Sequence, residues 1–253
     1  VSVNHLFDEI SRLNVSKTQI DTKKINYAYN QKILNNRISF KNVCFKYGDK
    51  TIFNDLNLNI NVNDKVGIMG LSGSGKTTLL NLIMGFLKPS SGSIKYDDID
   101  LNSSLDAVRE KIGYVSQSIY IMNDTIKNNI TLRQDPENVD FKKLNEAIKL
   151  SGLTNFIKNF NNEYDAIINE NAANIAGGEL QRIVIARALY YAKEILIFDE
   201  FTSALDLKTE NEILKQIKHL NKTIIIVSHK KSALQYCNKL FSIENREIKK
   251  INV

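Results

Sequence analysis

The sequence predicts an α/β fold built on a parallel sheet, and three observations carry the expectation. Short apolar runs at 65–70, 112–115, 195–198 and 223–227 have the near-continuous apolar content of central strands. Helical periodicity separates the last two of them. A glycine-rich turn joins Lys65–Gly70 directly to a helical face carried by Leu79, Leu80, Ile83 and Leu87, so the order is strand, loop, helix.

The remaining elements follow along the chain. Val3, Leu6, Phe7, Ile10 and Leu13 fall at helical spacing and predict a short amphipathic helix, after which Asn14–Lys24 reads as a polar linker. From Arg37 to Tyr47, the residues Ile38, Phe40, Val43 and Phe45 alternate with one shift of phase, as a β-bulge or a break between two strands produces. A second β segment is expected around Ile52–Ile60. Between Ser118 and Ala173 the strand signal fades and helical segments such as Phe141–Ser151 dominate, which predicts a helical insertion spanning approximately 118–176. The resulting plan is a linker region, 1–24, followed by one domain, 25–253.

Composition narrows the function classes. A chain of 253 residues that is 43% hydrophobic has enough apolar material for a packed core. The net charge of +6 is spread among interspersed Lys and Asp/Glu with no long basic block, which argues for a solvated surface and against nucleic acid as a partner. The same basic excess suits a position beside an anionic membrane surface. Cys44 and Cys237 form no CxxC pair and have no His cluster nearby, so neither a disulfide framework nor a zinc site is indicated and a reducing setting is expected. There is no apolar run of membrane-spanning length and no signal peptide, and the start at Val1 suggests that further sequence lies upstream.

The chemistry concentrates in three places. Gly70-Leu71-Ser72-Gly73-Ser74-Gly75-Lys76-Thr77 fits G-x-x-x-x-G-K-[ST] at every fixed position, between a strand and a helix as that motif requires. Its glycines let successive N–H groups face inward and the helix adds its positive end, a cradle for a polyphosphate that extends to Thr78. Lys76 supplies a point charge for the β and γ phosphates and Thr77 a hydroxyl for Mg2+. By this motif the chain resembles P-loop NTPases. Secondly, the apolar run from Ile195 ends in Asp199 and Glu200. Such a pair is often only a solvated strand end, but beside a phosphate loop Asp199 becomes the metal-side acid and Glu200 the group that orients and deprotonates a water. Thirdly, Thr223–Val227 delivers His229 to the same sheet edge, whereas His5 and His219 lie in helical patterns with no partner motif.

With Ile175-Ala176-Gly177-Gly178-Glu179-Leu180-Gln181-Arg182 added, the sequence resembles the nucleotide-binding domain of ABC transporters over nearly its whole length. That octet looks like the family signature L-S-G-G-Q and its helix. The resemblance implies a RecA-like parallel core with an N-terminal antiparallel β subdomain and an inserted α-helical subdomain, and it implies ATP and Mg2+ as cofactors. It assigns Tyr47 to adenine stacking, Gln117 to the Q-loop beside the metal, Asp206 with Ser203-Ala204-Leu205 to the D-loop, and His229 to the switch position. Ala176, Gly177, Gly178 and Glu179 would meet the γ-phosphate held by a second nucleotide-binding domain, in a homo- or heterodimer around two ATP molecules.

Ser116–Ile126 with Asn129-Ile130, and the opening helix with Phe7-Asp8-Glu9-Ile10, resemble exporter-type half-transporters of the lipid, oligosaccharide or multidrug kind. This implies a transmembrane domain fused upstream, and a place on the cytoplasmic face of a membrane, the bacterial inner membrane by analogy. Departures from the pattern are Ala176 where serine is usual, Glu179 for glutamine, Phe201 after the acids, and a loose match at 169–172 that retains Glu170 as a coupling contact. The alternative functions are a soluble ABC-family ATPase and a nucleotide-regulated binding module.

Overall fold

The computed structural model describes residues 35–132, 135–168, 175–192, 194–201 and 204–251. The expected opening helix with His5, the linker and its boundary, the 169–172 segment and Ser203 lie outside the described residues.

Strand β1, Arg37–Tyr47, pairs antiparallel with β2, Lys50–Asn61. The phase shift in the sequence is a bulge within one continuous strand: the register slips between Phe40 and Val43, and Asn42 there takes a left-handed φ of 50°. The other edge of β1 pairs with β4, Ser91–Tyr96, which in turn pairs with β5, Ile99–Asp100, giving the order β2-β1-β4-β5. The antiparallel layer is therefore not purely N-terminal, since half of its strands come after the phosphate loop.

The central sheet contains β3 (Lys65–Gly70), β6 (Ile112–Val115), β9 (Ile195–Asp199), β10 (Thr223–Val227), β11 (Lys239–Glu244) and β12 (Glu247–Ile251). Their order is β12-β11-β3-β10-β9-β6, all pairs parallel except the edge hairpin of β11 and β12. Every residue of β9 and β10 is buried, which explains their nearly continuous apolar sequence. The two-residue period divides the side chains between two cores. Ile195, Ile197, Ile225 and Val227 face the cluster that contains the antiparallel layer, whereas Leu196, Phe198, Ile224 and Ile226 face the helical one.

Helix α1, Lys76–Ile83, follows β3 and is shorter than its apolar pattern suggests. Gly85, at φ 67°, closes it in a Schellman motif: the Phe86 N–H donates to Asn81 O at 2.9 Å and the Gly85 N–H to Leu82 O at 3.2 Å. Leu87 consequently packs from beyond the helix end. After α2, Leu105–Arg109, the region between β6 and the signature segment holds α3 (Ile126–Thr131), α4 (Phe141–Leu150) and α5 (Thr154–Lys158). The two-residue strands β7 (Asp124–Thr125) and β8 (Ile167–Ile168) pair across this helical stretch. Thr125 and Asp140 cap α3 and α4 by accepting the Asn128 and Lys143 N–H groups, each at 3.0 Å. Helix α6, Gly177–Tyr191, precedes β9, and α7, Leu207–Lys218, precedes β10. No helix among the described residues is long and apolar enough to cross a membrane.

Candidate nucleotide site

Parallel pairing aligns the C-terminal ends of three neighbouring strands. Val227 of β10 is level with Ile68 of β3 on one side and Asp199 of β9 on the other. The phosphate loop, His229 and the two acids therefore emerge at one sheet edge, where open α/β sheets bind ligands.

The loop needs its glycines. Gly73 and Gly75 have φ of 74° and 108°. A Cβ on Gly75 would lie 2.9 Å from Ile52 Cγ2 and from Phe53 Cζ, and one on Gly70 would overlap Ser74 Oγ. Leu71, Ser72 and Gly73 are exposed at the turn, and Thr78 is buried in the first turn of α1. The Ser74 hydroxyl is buried with no partner, an orphaned polar atom inside the loop that suits a polar ligand. Lys76 Nζ donates to Gly70 O at 2.9 Å and Leu71 O at 3.0 Å, so the loop itself holds the charge over its own concavity.

The acids are tied into one network. Asp199 Oδ2 accepts from Thr77 Oγ1 at 3.2 Å and from the Tyr114 phenol at 3.4 Å. Burial pushes the Asp199 carboxyl up, the Thr77 bond opposes this, and the charge of Glu200 adds to the rise. Burial and the Asp199 charge push the Tyr114 phenol up to about 12. Glu200 Oε1 lies 2.8 Å from His229 Nε2 and 3.7 Å from Lys76 Nζ, and its Oε2 accepts from Gln117 Nε2 at 3.1 Å. Glu200 sits at φ 48°, a left-handed conformation uncommon outside glycine, with its N–H donating to Val227 O at 3.0 Å. Phe201, the unusual residue that follows, is fully buried with its ring 4.5 Å from Phe198, so it extends the core beneath the acids.

This donor set fits Mg2+ shared with a nucleotide. No group of three or more His, Cys, Asp or Glu that could hold a metal unaided occurs among the described residues. One carboxylate and one hydroxyl at hydrogen-bond distance from each other, beside a phosphate cradle, are the ligands Mg2+ uses when phosphate oxygens and water complete its shell.

The other expected residues lie apart from this network. Tyr47 is half exposed, with its ring nearly perpendicular to that of Phe45 and centroids 4.9 Å apart. Ala176 occupies the N-cap of α6 and provides no side-chain cap, while Gly177 and Gly178 form the first turn. Glu179 Oε1 accepts from Arg182 at 2.9 Å, and its Oε2 is buried without a partner. Asp206 accepts the Lys208 and Thr209 N–H groups, each at 3.0 Å, and the Thr209 side chain, together with these bonds at the N-terminus of α7, lowers its carboxyl pKa. His219 ends α7 as its C-cap residue, away from these groups. Among the described residues no hydrogen bond or ion pair joins Ala176–Glu179, Asp206 or Tyr47 to the phosphate loop. Sequence reasoning missed Tyr114. The available signal was a phenol in an otherwise apolar strand, since a buried tyrosine hydroxyl usually finds a partner.

Comparison with known proteins gives a consistent outcome. A family model described as ABC transporter matches residues 53–203. The alpha-hemolysin translocation ATP-binding protein HlyB of Escherichia coli O157:H7 is 40% identical over 213 residues, covering 82% of this chain and 30% of that protein. A probable ABC transporter ATP-binding/permease protein of Haemophilus influenzae is 39% identical over 83% of this chain and 38% of its own length. Among solved structures, a bacterial Atm1-family ABC exporter with ATP bound superposes with a TM-score of 0.78 at 30% identity, over 85% of this chain and 38% of that one. The chain thus spans about a third of the length of these relatives.

Proposed function

The chain belongs to the ABC transporter family as its ATP-binding domain, and from that premise we propose that it is the ATP-hydrolysing motor of an exporter. The observation that carries the reading is the Glu200 carboxylate, positioned by His229 at 2.8 Å and Gln117 at 3.1 Å and set beside Lys76 at the mouth of the phosphate loop. A carboxylate fixed in that way can accept the proton of a water attacking the γ-phosphorus as the bond to the β-phosphate oxygen breaks, leaving ADP and phosphate. Lys76 and the loop N–H groups would bind the phosphates, Thr77, Asp199 and Gln117 would hold Mg2+, and Tyr47 would stack on adenine. Bound Mg2+ would supply charge neutralisation on the β and γ oxygens.

The helix start at Ala176–Glu179 would serve the nucleotide of a second domain. Its first-turn N–H groups and dipole favour an anion, and among the described residues it makes no bond to its own phosphate loop, which supports a role across a dimer, with Asp206 in the adjoining D-loop. In this reading ATP joins two such domains and its hydrolysis releases them. The driven partner is a transmembrane domain fused upstream, reached through residues 1–24. Residues 25–253 form the nucleotide-binding domain, with the helical subdomain at about 118–176, on the cytoplasmic face of a bacterial inner membrane. The cycle drives export or flipping of a substrate.

Glu200→Gln tests the reading. ATP binding should persist while turnover falls by at least about a hundredfold, and ATP should then give a stable dimer on size exclusion. Hydrolysis at the unsubstituted rate would remove Glu200 from the chemistry.

A further inference from the structure

We propose that Tyr114 is a positioning residue for the metal site, acting through Asp199. The inference rests on the reading above that Asp199 and Thr77 hold Mg2+. Parallel pairing of β6 with β9 sets Tyr114 level with Ile197, so its side chain lies one strand away from the carboxylate that ends β9. The phenol donates to Asp199 Oδ2 at 3.4 Å, and Thr77 Oγ1 donates to the same oxygen at 3.2 Å. Two hydroxyl donors on one oxygen fix the torsion of a side chain whose carboxylate otherwise rotates freely.

The two donors differ in what they can do. Thr77 lies on the phosphate loop helix and would share its hydroxyl with the metal, so its bond to Asp199 would depend on the state of the site. Tyr114 belongs to the sheet and is half-buried on β6, which makes its bond the one that persists through the cycle. Asp199 is itself almost fully buried, so few waters are available to replace a lost donor. A carboxylate held in that way presents its remaining lone pairs in one direction, and a small octahedral cation demands that directionality.

The test uses Tyr114→Phe in the full-length protein, a change that keeps the ring and removes only the hydroxyl. Mn2+ substitutes for Mg2+, and its binding to the ATP-loaded protein is titrated by electron paramagnetic resonance, independent of turnover. Affinity for Mn2+ should fall about tenfold, while nucleotide affinity in metal-free buffer stays within about twofold of the parent. In an Asp199→Asn background the further effect of Tyr114→Phe should nearly vanish, because the oxygen it orients no longer carries a charge. Equal Mn2+ affinity in parent and variant overturns the proposal. So does an equal loss with and without metal, or a full tenfold effect in the Asp199→Asn background. If the unsubstituted protein retains no Mn2+ with ATP, the assignment of the metal site itself fails, which separates the two outcomes.

Discussion

Ala176→Ser is the substitution on which the structure makes the most detailed demand. Ala176 has φ −69° and ψ 150° at the N-cap of α6, the extended geometry from which a serine hydroxyl accepts an N–H of the first turn. The residue three positions on is Glu179, so the substitution completes S-x-x-E, the capping-box pattern. One Glu179 oxygen is already held by Arg182 at 2.9 Å, and the other is buried and unpaired, free for the reciprocal bond. A serine cap in place of alanine contributes about 1 kcal/mol, which for a domain of this size is a rise of roughly 2–4 °C in Tm. Differential scanning calorimetry without nucleotide should show that rise, and Glu179→Ala in the same protein should cut it to about half. With nucleotide present, the same hydroxyl can donate to a phosphate across a dimer, and ATP turnover should increase about tenfold where this site limits the rate. An unchanged Tm refutes the capping argument, and an unchanged rate shows that Gly177, Gly178 and the helix dipole already compensate for the missing serine.

Lys76→Ala should weaken ATP binding at least about thirtyfold, measured by fluorescent nucleotide titration, because a cation bonded to two loop carbonyls at 2.9 and 3.0 Å is removed from an anion cradle. Gly75→Ala should lower stability by roughly 1–3 kcal/mol, read from the urea midpoint, since φ 108° disfavours alanine and its Cβ would meet Ile52 and Phe53 at 2.9 Å. Asp97 supplies a pH prediction. Partial burial raises its carboxyl pKa, but the N–H groups of Arg37, Asn35 and Asn36, each 2.8 Å away, outweigh this and leave it below the ordinary 3.8. A depressed folded pKa contributes stability above the unfolded value that is lost as pH falls through the folded one. Asp97→Asn should therefore cost about 1 kcal/mol at neutral pH after solvent screening, and the gap should close in urea titrations below pH 3.8. A gap that is the same at both pH values would contradict the assignment.

The parts legible in the sequence are those where local chemistry and long-range order coincide. Lys65–Gly70 reads as a strand and is one because its apolar run is buried on both faces, and the glycine loop after it has only one common structural use. Legibility fails where pairing is decided by distant segments. Ser91–Tyr96 buries only Ile94 and Tyr96 fully, so its short polar-rich sequence gives little strand signal, yet it extends the sheet begun at Arg37 by pairing with β1. The hairpin of β11 and β12 is likewise weak in pattern, with exposed lysines on its outer strand, and exists as the edge of a sheet whose centre lies elsewhere. Within the site, Lys76, Thr77, Asp199 and Glu200 follow from spacing. Tyr114 does not, since its meaning depends on β6 lying beside β9, a neighbourhood that no spacing along the chain expresses.

The division of the core by the central sheet has a kinetic consequence. β9 and β10 are buried along their whole length and contribute side chains to both clusters, so their amides can exchange with solvent only when both layers open together. Asp199 ends β9 with Glu200 next to it and His229 follows β10, whereas Ala176–Glu179 open a helix whose buried hydrophobic residues all belong to the helical cluster. Local opening of the helical layer can thus move Ala176–Glu179 while Asp199 and His229 keep their places at the ends of the buried strands.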